Sequence, residues 1–195
     1  MIQSMYSREE KEQLLEIAKY SIRYGLSNGR APEIILTNLS APLREKRASF
    51  VTLKIKSMLR GCIGSLTAIQ PLALDVANNA FSAAFEDNRF PPLTQKEFPD
   101  LKIHISILNP AERLKFADEK ELIEQIRPGI DGIILKDKTK RATFLPSVWE
   151  GLPDPNEFIE KLKIKAGLTA THFSETMEVY RYTAESIQEE KEEEK

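Results

Sequence analysis

Apolar and polar side chains alternate along residues 48–56, with Val51, Leu53 and Ile55 on one side and Thr52, Lys54 and Lys56 on the other. A period of two predicts a strand with one buried face. The alternation is clearest where Leu101, Ile103, Ile105 and Ile107 interleave with Lys102, His104 and Ser106, which predicts another strand. Elsewhere the period is helical. Ser7-Arg8-Glu9-Glu10 has the form of a capping box, and Leu14, Leu15, Ile17 and Ala18 follow at helical spacing. The predicted helix spans residues 7–24, with Gly25 as its left-handed stop and a loop through Asn28-Gly29 and Pro32. The Ala- and Leu-rich stretch 71–85 predicts a buried helix with Pro71 in its first turn. Further along, the pattern predicts a short helix over 118–127 stopped by Pro128-Gly129, and a hairpin pairing 132–136 with 142–145 up to Pro146. Phe158, Ile159, Leu162 and Ile164 form the apolar stripe of a helix over 156–166 with Gly167 as its cap, and a last strand follows over 177–183. Strands and helices interleave irregularly, and several strands have one polar face. The expected class is therefore α+β, a largely antiparallel sheet flanked by helices rather than a doubly wound parallel sheet.

A chain of 195 residues has room for one compact domain or two small lobes. Its 28 Lys+Arg against 30 Asp+Glu leave a net charge of −2, which argues against a protein built to neutralise nucleic-acid phosphate. No nucleic-acid partner is expected. The longest apolar runs fall well short of the roughly 18 residues of a membrane span, and the first ten residues lack the basic and apolar regions of a signal peptide. The expectation is a cytoplasmic protein with no membrane partner. Residues 186–195 hold five Glu and two Lys and read as a solvated, disordered tail, leaving 1–185 as the domain. Cys62 is the one cysteine, so neither an internal disulfide nor a multi-thiolate metal site can form. With two distant histidines and no phosphate-cradle motif, neither metal nor cofactor is expected.

Leu59-Arg60-Gly61-Cys62-Ile63-Gly64 places a thiol between two glycines and beside a guanidinium, at the end of the first predicted strand. In one reading Cys62 is a nucleophile or ligand contact. Arg60 then favours the thiolate or holds an anion, and Gly61 and Gly64 let backbone amides approach a ligand. In the other, Cys62 is a small buried hydrophobe at a tight bend that the glycines permit. Glu86, Asp87 and Arg89 cluster ahead of Pro91-Pro92. There Arg89 can grip a carboxylate or phosphate while an acid works beside it, or the group is an ion pair that seals a turn. His104 reaches Cys62 if their strands are neighbours, and is otherwise an ordinary strand histidine. His172 reads as a surface residue. The stretch Phe144 to Trp149 reads as packing, with an aromatic ligand platform as the alternative.

At the hexapeptide the chain resembles the AMMECR family, named for a human chromosomal region linked to Alport syndrome, midface hypoplasia and elliptocytosis. Three further segments follow in the family's order: Asp87-Asn88-Arg89-Phe90-Pro91-Pro92-Leu93, Thr143-Phe144-Leu145-Pro146-Ser147-Val148-Trp149-Glu150, and Lys165-Ala166-Gly167-Leu168. Together they span roughly residues 10–183. The resemblance implies a two-lobed α+β domain with the hexapeptide near the junction of its lobes. It also implies a pathway or complex shared with a Memo-like and a radical-SAM-type protein. Iron–sulfur cysteines are missing from this sequence, so such a cofactor would belong to a partner. His104 departs from the family pattern, in which an acidic residue often occupies the corresponding strand. Three functional classes follow: an enzyme or enzyme subunit with a ligand cleft at the hexapeptide, a non-catalytic adaptor, and a small-molecule sensor.

Overall fold

The computed structural model describes residues 4–189. Helix α1 (Arg8–Asn28) starts at the expected capping box, in which the Ser7 hydroxyl accepts from the Glu10 N–H and the Glu10 carboxylate accepts from the Ser7 N–H. It does not stop at Gly25. That glycine is buried inside the helix because an added Cβ would stand 2.5 Å from the Phe85 ring, and Gly29, at φ +67°, supplies the left-handed stop. A short helix α2 (Ala41–Arg44) leads into strand β1 (Ala48–Ile55). Lys56 and Ser57 turn the chain at positive φ into strand β2 (Met58–Gly64). The hexapeptide is thus most of a strand rather than the bend after one.

Helix α3 (Leu72–Phe85) and strand β3 (Leu101–Leu108) follow as the pattern predicts. The chain then builds β4 (Glu112–Arg113), α4 (Glu119–Gln125), the hairpin β5 (Gly132–Asp137) and β6 (Lys140–Phe144), α5 (Pro155–Lys165), β7 (Met177–Tyr182) and β8 (Ala184–Gln188). The α+β class holds, with the strands divided between two four-stranded sheets ordered β2-β1-β3-β8 and β4-β7-β5-β6. Strand β1 runs antiparallel to β2 and β3, and β5 runs antiparallel to β6 and β7.

Two compact units result, one taking the chain up to Leu108 and again from Glu185, the other Asn109–Ala184. In the first, α3 packs on β1 and β2, and α1 packs on α3 and β3. Val51, Leu53, Ile103, Ile105, Leu72, Val76 and Ala80 make up much of its core. In the second, α5 packs on β6, and Leu122, Ile133, Leu135, Phe158, Ile159, Leu162 and Val179 form the core.

The expected tail begins too early. Ser186, Ile187 and Gln188 belong to β8 at an edge of the first sheet, and Ile187 is buried there, which holds the segment against its charged composition. The rest of the expected tail, 190–195, lies outside the described residues. Among the described residues no helix is long and apolar enough to cross a membrane.

Candidate functional site

Strand β2 is an edge strand, so the outward-facing backbone groups of its alternate residues have no neighbouring strand to pair with. Cys62 is one such residue. Its register partner on β1 is Thr52, and a disulfide-free thiol placed opposite a hydroxyl at a close cross-strand position gives a Cys62 Sγ to Thr52 Oγ1 distance of 3.3 Å. On the outward side the backbone is gripped by the segment after α3. The Asp87 carboxylate accepts from the Cys62 N–H at 2.8 Å, and an Arg89 Nη2–H donates to the Cys62 carbonyl at 3.2 Å. Asp87 and Arg89 bind each other as well, through Nε at 2.9 Å and Nη2 at 2.7 Å. This ion pair therefore takes the place of a neighbouring strand at one residue.

The pair is asymmetric in exposure, the Asp87 side chain being 3% exposed and that of Arg89 53%. Hydrogen bonds from the Arg89 side chain, and then from the Cys62 and Arg89 N–H groups, hold the Asp87 carboxyl well below the usual carboxylate range. Asp87 is thus an anion without a proton to give at neutral pH, so it positions the strand instead of acting as an acid. Arg89, a cation whatever its partner, has its pKa raised further by Asp87 and reaches the Cys62 backbone carbonyl.

Arg60, expected to serve the thiol, is turned elsewhere. Its Nε and Nη2 donate to the two Glu97 oxygens at 2.7 and 3.2 Å, and its guanidinium stands 6.0 Å from the Phe90 ring centroid. The cause lies in the strand: the β1–β2 register shifts between Leu53 and Lys54, which face Gly61 and Leu59, so that Arg60 is the extra residue of a bulge. The Arg60 bonds, with those from Thr94, draw the Glu97 carboxyl down to about 2. The cation that reaches the Cys62 backbone is Arg89.

The glycines do not make a bend either. Neither has a positive φ, and each marks a close approach. A Cβ on Gly61 would lie 2.0 Å from the Ala83 carbonyl oxygen of α3, and one on Gly64 would lie 2.2 Å from the Phe50 ring. Because α3 covers the Gly61 side of β2, the Cys62 side chain emerges on the opposite face, half-buried.

His104 shares that face but does not reach the thiol. Thr52 pairs with Cys62 on one side and His104 on the other, so β1 stands between the two strands and the expected Cys–His pair is not formed. His172 is not a plain surface residue: its Nε2 lies 2.5 Å from Asp137, a buried carboxylate that also accepts from Ser174 and Thr176. Those bonds, Thr176 first, draw Asp137 down to about 2. Among the described residues no cluster of His, Cys, Asp and Glu is arranged to hold a metal ion.

Two supports of the site escaped sequence reasoning. Asp75, fully buried in α3, accepts from the Ser49 N–H and hydroxyl, the Ser65 hydroxyl, Gln70 and Asn79, with no cation among these partners. It ties α3 to β1 and to the residue just after the hexapeptide. A lone acid inside an Ala- and Leu-rich helix was the available signal. For Glu97 the signal was Thr94 three residues earlier, whose N–H and hydroxyl both donate to it.

Comparison with known proteins gives a consistent picture. Residues 15–187 match the family described as AMMECR1. A protein of Methanothermobacter thermautotrophicus is 36% identical over 188 residues, covering 94% of this chain and 96% of that one. Protein MJ0810 of Methanocaldococcus jannaschii is 34% identical over 187 residues, covering 90% and 91%. The crystal structure of the uncharacterized protein PH0010 from Pyrococcus horikoshii superposes with a TM-score of 0.86 at 32% identity, covering 92% of this chain and 91% of that one.

Proposed function

The chain belongs to the AMMECR1 family, and on that footing we propose that it is an enzyme or enzyme subunit in which the Cys62 thiol meets a small anionic substrate. The observation that carries this reading is the setting of Cys62. A half-buried cysteine on an edge strand has its backbone fixed by Asp87 and by the exposed Arg89 guanidinium. The held backbone and the Thr52 contact on the sulfur together restrict the thiol, which lowers the cost of aligning it with a bound molecule. The remaining Arg89 N–H groups suit a carboxylate or phosphate, and Thr52 keeps the thiol oriented. Memo-like and radical-SAM-type proteins are the proposed partners, in the cytoplasm, and any iron–sulfur chemistry of the assembly falls to them.

A second reading, a non-catalytic adaptor, draws on the fact that Asp87 and Arg89 are engaged by the strand backbone. Cys62→Ala separates the two when the purified full chain, with any partners that co-purify, is incubated with a small-molecule extract. The enzyme reading expects a metabolite consumed by the wild type and left untouched by the variant, with co-purification unchanged. Identical extract profiles, with the variant folded and its complex intact, would instead favour the adaptor.

A further inference from the structure

The sheet face that carries Cys62 also carries two lysines with no structural role there. Val51, Leu53, Ile103 and Ile105 point into the core of the first unit. Alternation therefore sets Thr52 and Lys54 of β1, and Lys102 and His104 of β3, on the opposite face, the one from which Cys62 emerges. Register arranges them in rows. Cys62, Thr52 and His104 form one row across β2, β1 and β3. Lys54 and Lys102 stand directly opposite each other in the next, two residues along, which is roughly 7 Å.

Like charges at directly opposed positions destabilise a sheet. Among the described residues no strand of this sheet sets a carboxylate on that face to offset them. The four strands hold one acid, Glu185 of β8, which shares the side of the buried Ile187 and pairs with Lys11 of α1. Lys54 is exposed and has no ion pair among the described residues. Lys102, its side chain 75% exposed, lies 3.7 Å from Glu189, a carboxylate already bound by Lys19 at 2.6 Å. An excess of positive charge thus stands one row from the thiol, where it costs the sheet stability. Two opposed ammonium groups match the two charges of a phosphate monoester.

We propose that Lys54 and Lys102 form an anion subsite beside Cys62 and hold the phosphate of a small phosphate monoester whose reacting part lies over the thiol. The inference rests on the enzyme reading and adds the substrate class to it. Phenyl phosphate is the probe, with benzyl alcohol as its uncharged control, both at fixed ionic strength. In a 1H–15N spectrum of the full chain, phenyl phosphate should shift the Lys54 and Lys102 amide cross-peaks saturably, and benzyl alcohol should not. Lys54→Gln and Lys102→Gln should each weaken binding about fivefold, roughly the upper worth of one exposed ion pair. Lys54→Arg, which keeps the charge, should retain most of it. Removing either of two opposed like charges should leave the melting temperature unchanged or raise it, the reverse of what a structural role would give. The subsite is overturned if phenyl phosphate causes no saturable shift, if benzyl alcohol binds as well, or if both glutamine variants bind like the wild type. Iodoacetamide alkylation of Cys62 in the same samples keeps the two claims apart. A reactive thiol without phosphate binding overturns the subsite alone, whereas binding beside an inert thiol supports the subsite and overturns the enzyme reading.

Discussion

Asp87 does the most to hold Cys62 in place, and its loss should be correspondingly costly. In Asp87→Ala the Cys62 N–H and the Arg89 guanidinium both lose their partner, and a buried carboxylate that organised them is gone. The expected cost is about 2–4 kcal/mol, read from urea denaturation. Asp87, Glu97 and Asp137 are all depressed below their ordinary values. Depressed carboxylates stabilise the folded chain in full above their unfolded values near 4, and that stability drains as pH falls toward their folded ones. Thermal stability should therefore drop between about pH 4.5 and 2, and Glu97→Gln should remove part of the slope; a flat profile across that window would contradict these assignments. Of these acids only Asp87 stood out in the sequence, because the cation that draws Glu97 down, Arg60, lies on strand β2 and the partners of Asp137 lie more than thirty residues away.

Elements with a clean period were legible: β1, β3, α3 and α5 follow their predicted bounds within a residue or two, since each has one face committed to a core. Strand β2 was not, because its glycines and Cys62 interrupt the alternation that betrays a strand, and Gly25 was misread as a helix stop when it is a place for Phe81 and Phe85 to press in. The same glycines yield a graded prediction. Gly61→Ala drives a Cβ into backbone of α3, which cannot step aside, and should cost about 3 kcal/mol or more. At Gly64 the obstacle is the Phe50 side chain, which can rotate, so Gly64→Ala should be milder. Thermal or urea melts of the two variants side by side test the order, and equal losses would refute the packing argument.

At the scale of the whole chain, the first unit is closed by a strand that arrives only after the second has been built, since β8 joins the sheet that begins with β1. Its sequence hid it: one buried Ile187 amid acids carries little apolar signal. Ending the chain at Thr183 should therefore destabilise the first unit, seen as lost amide protection in β3. The function proposed for Cys62 requires a positioned, reactive thiol. Because the molecule has one cysteine, whole-protein mass spectrometry follows its alkylation without ambiguity. At neutral pH, iodoacetamide should modify folded wild-type protein faster than the urea-unfolded chain, and Arg89→Gln should slow the folded reaction. A folded thiol slower than the unfolded one, and indifferent to Arg89, would contradict the claim.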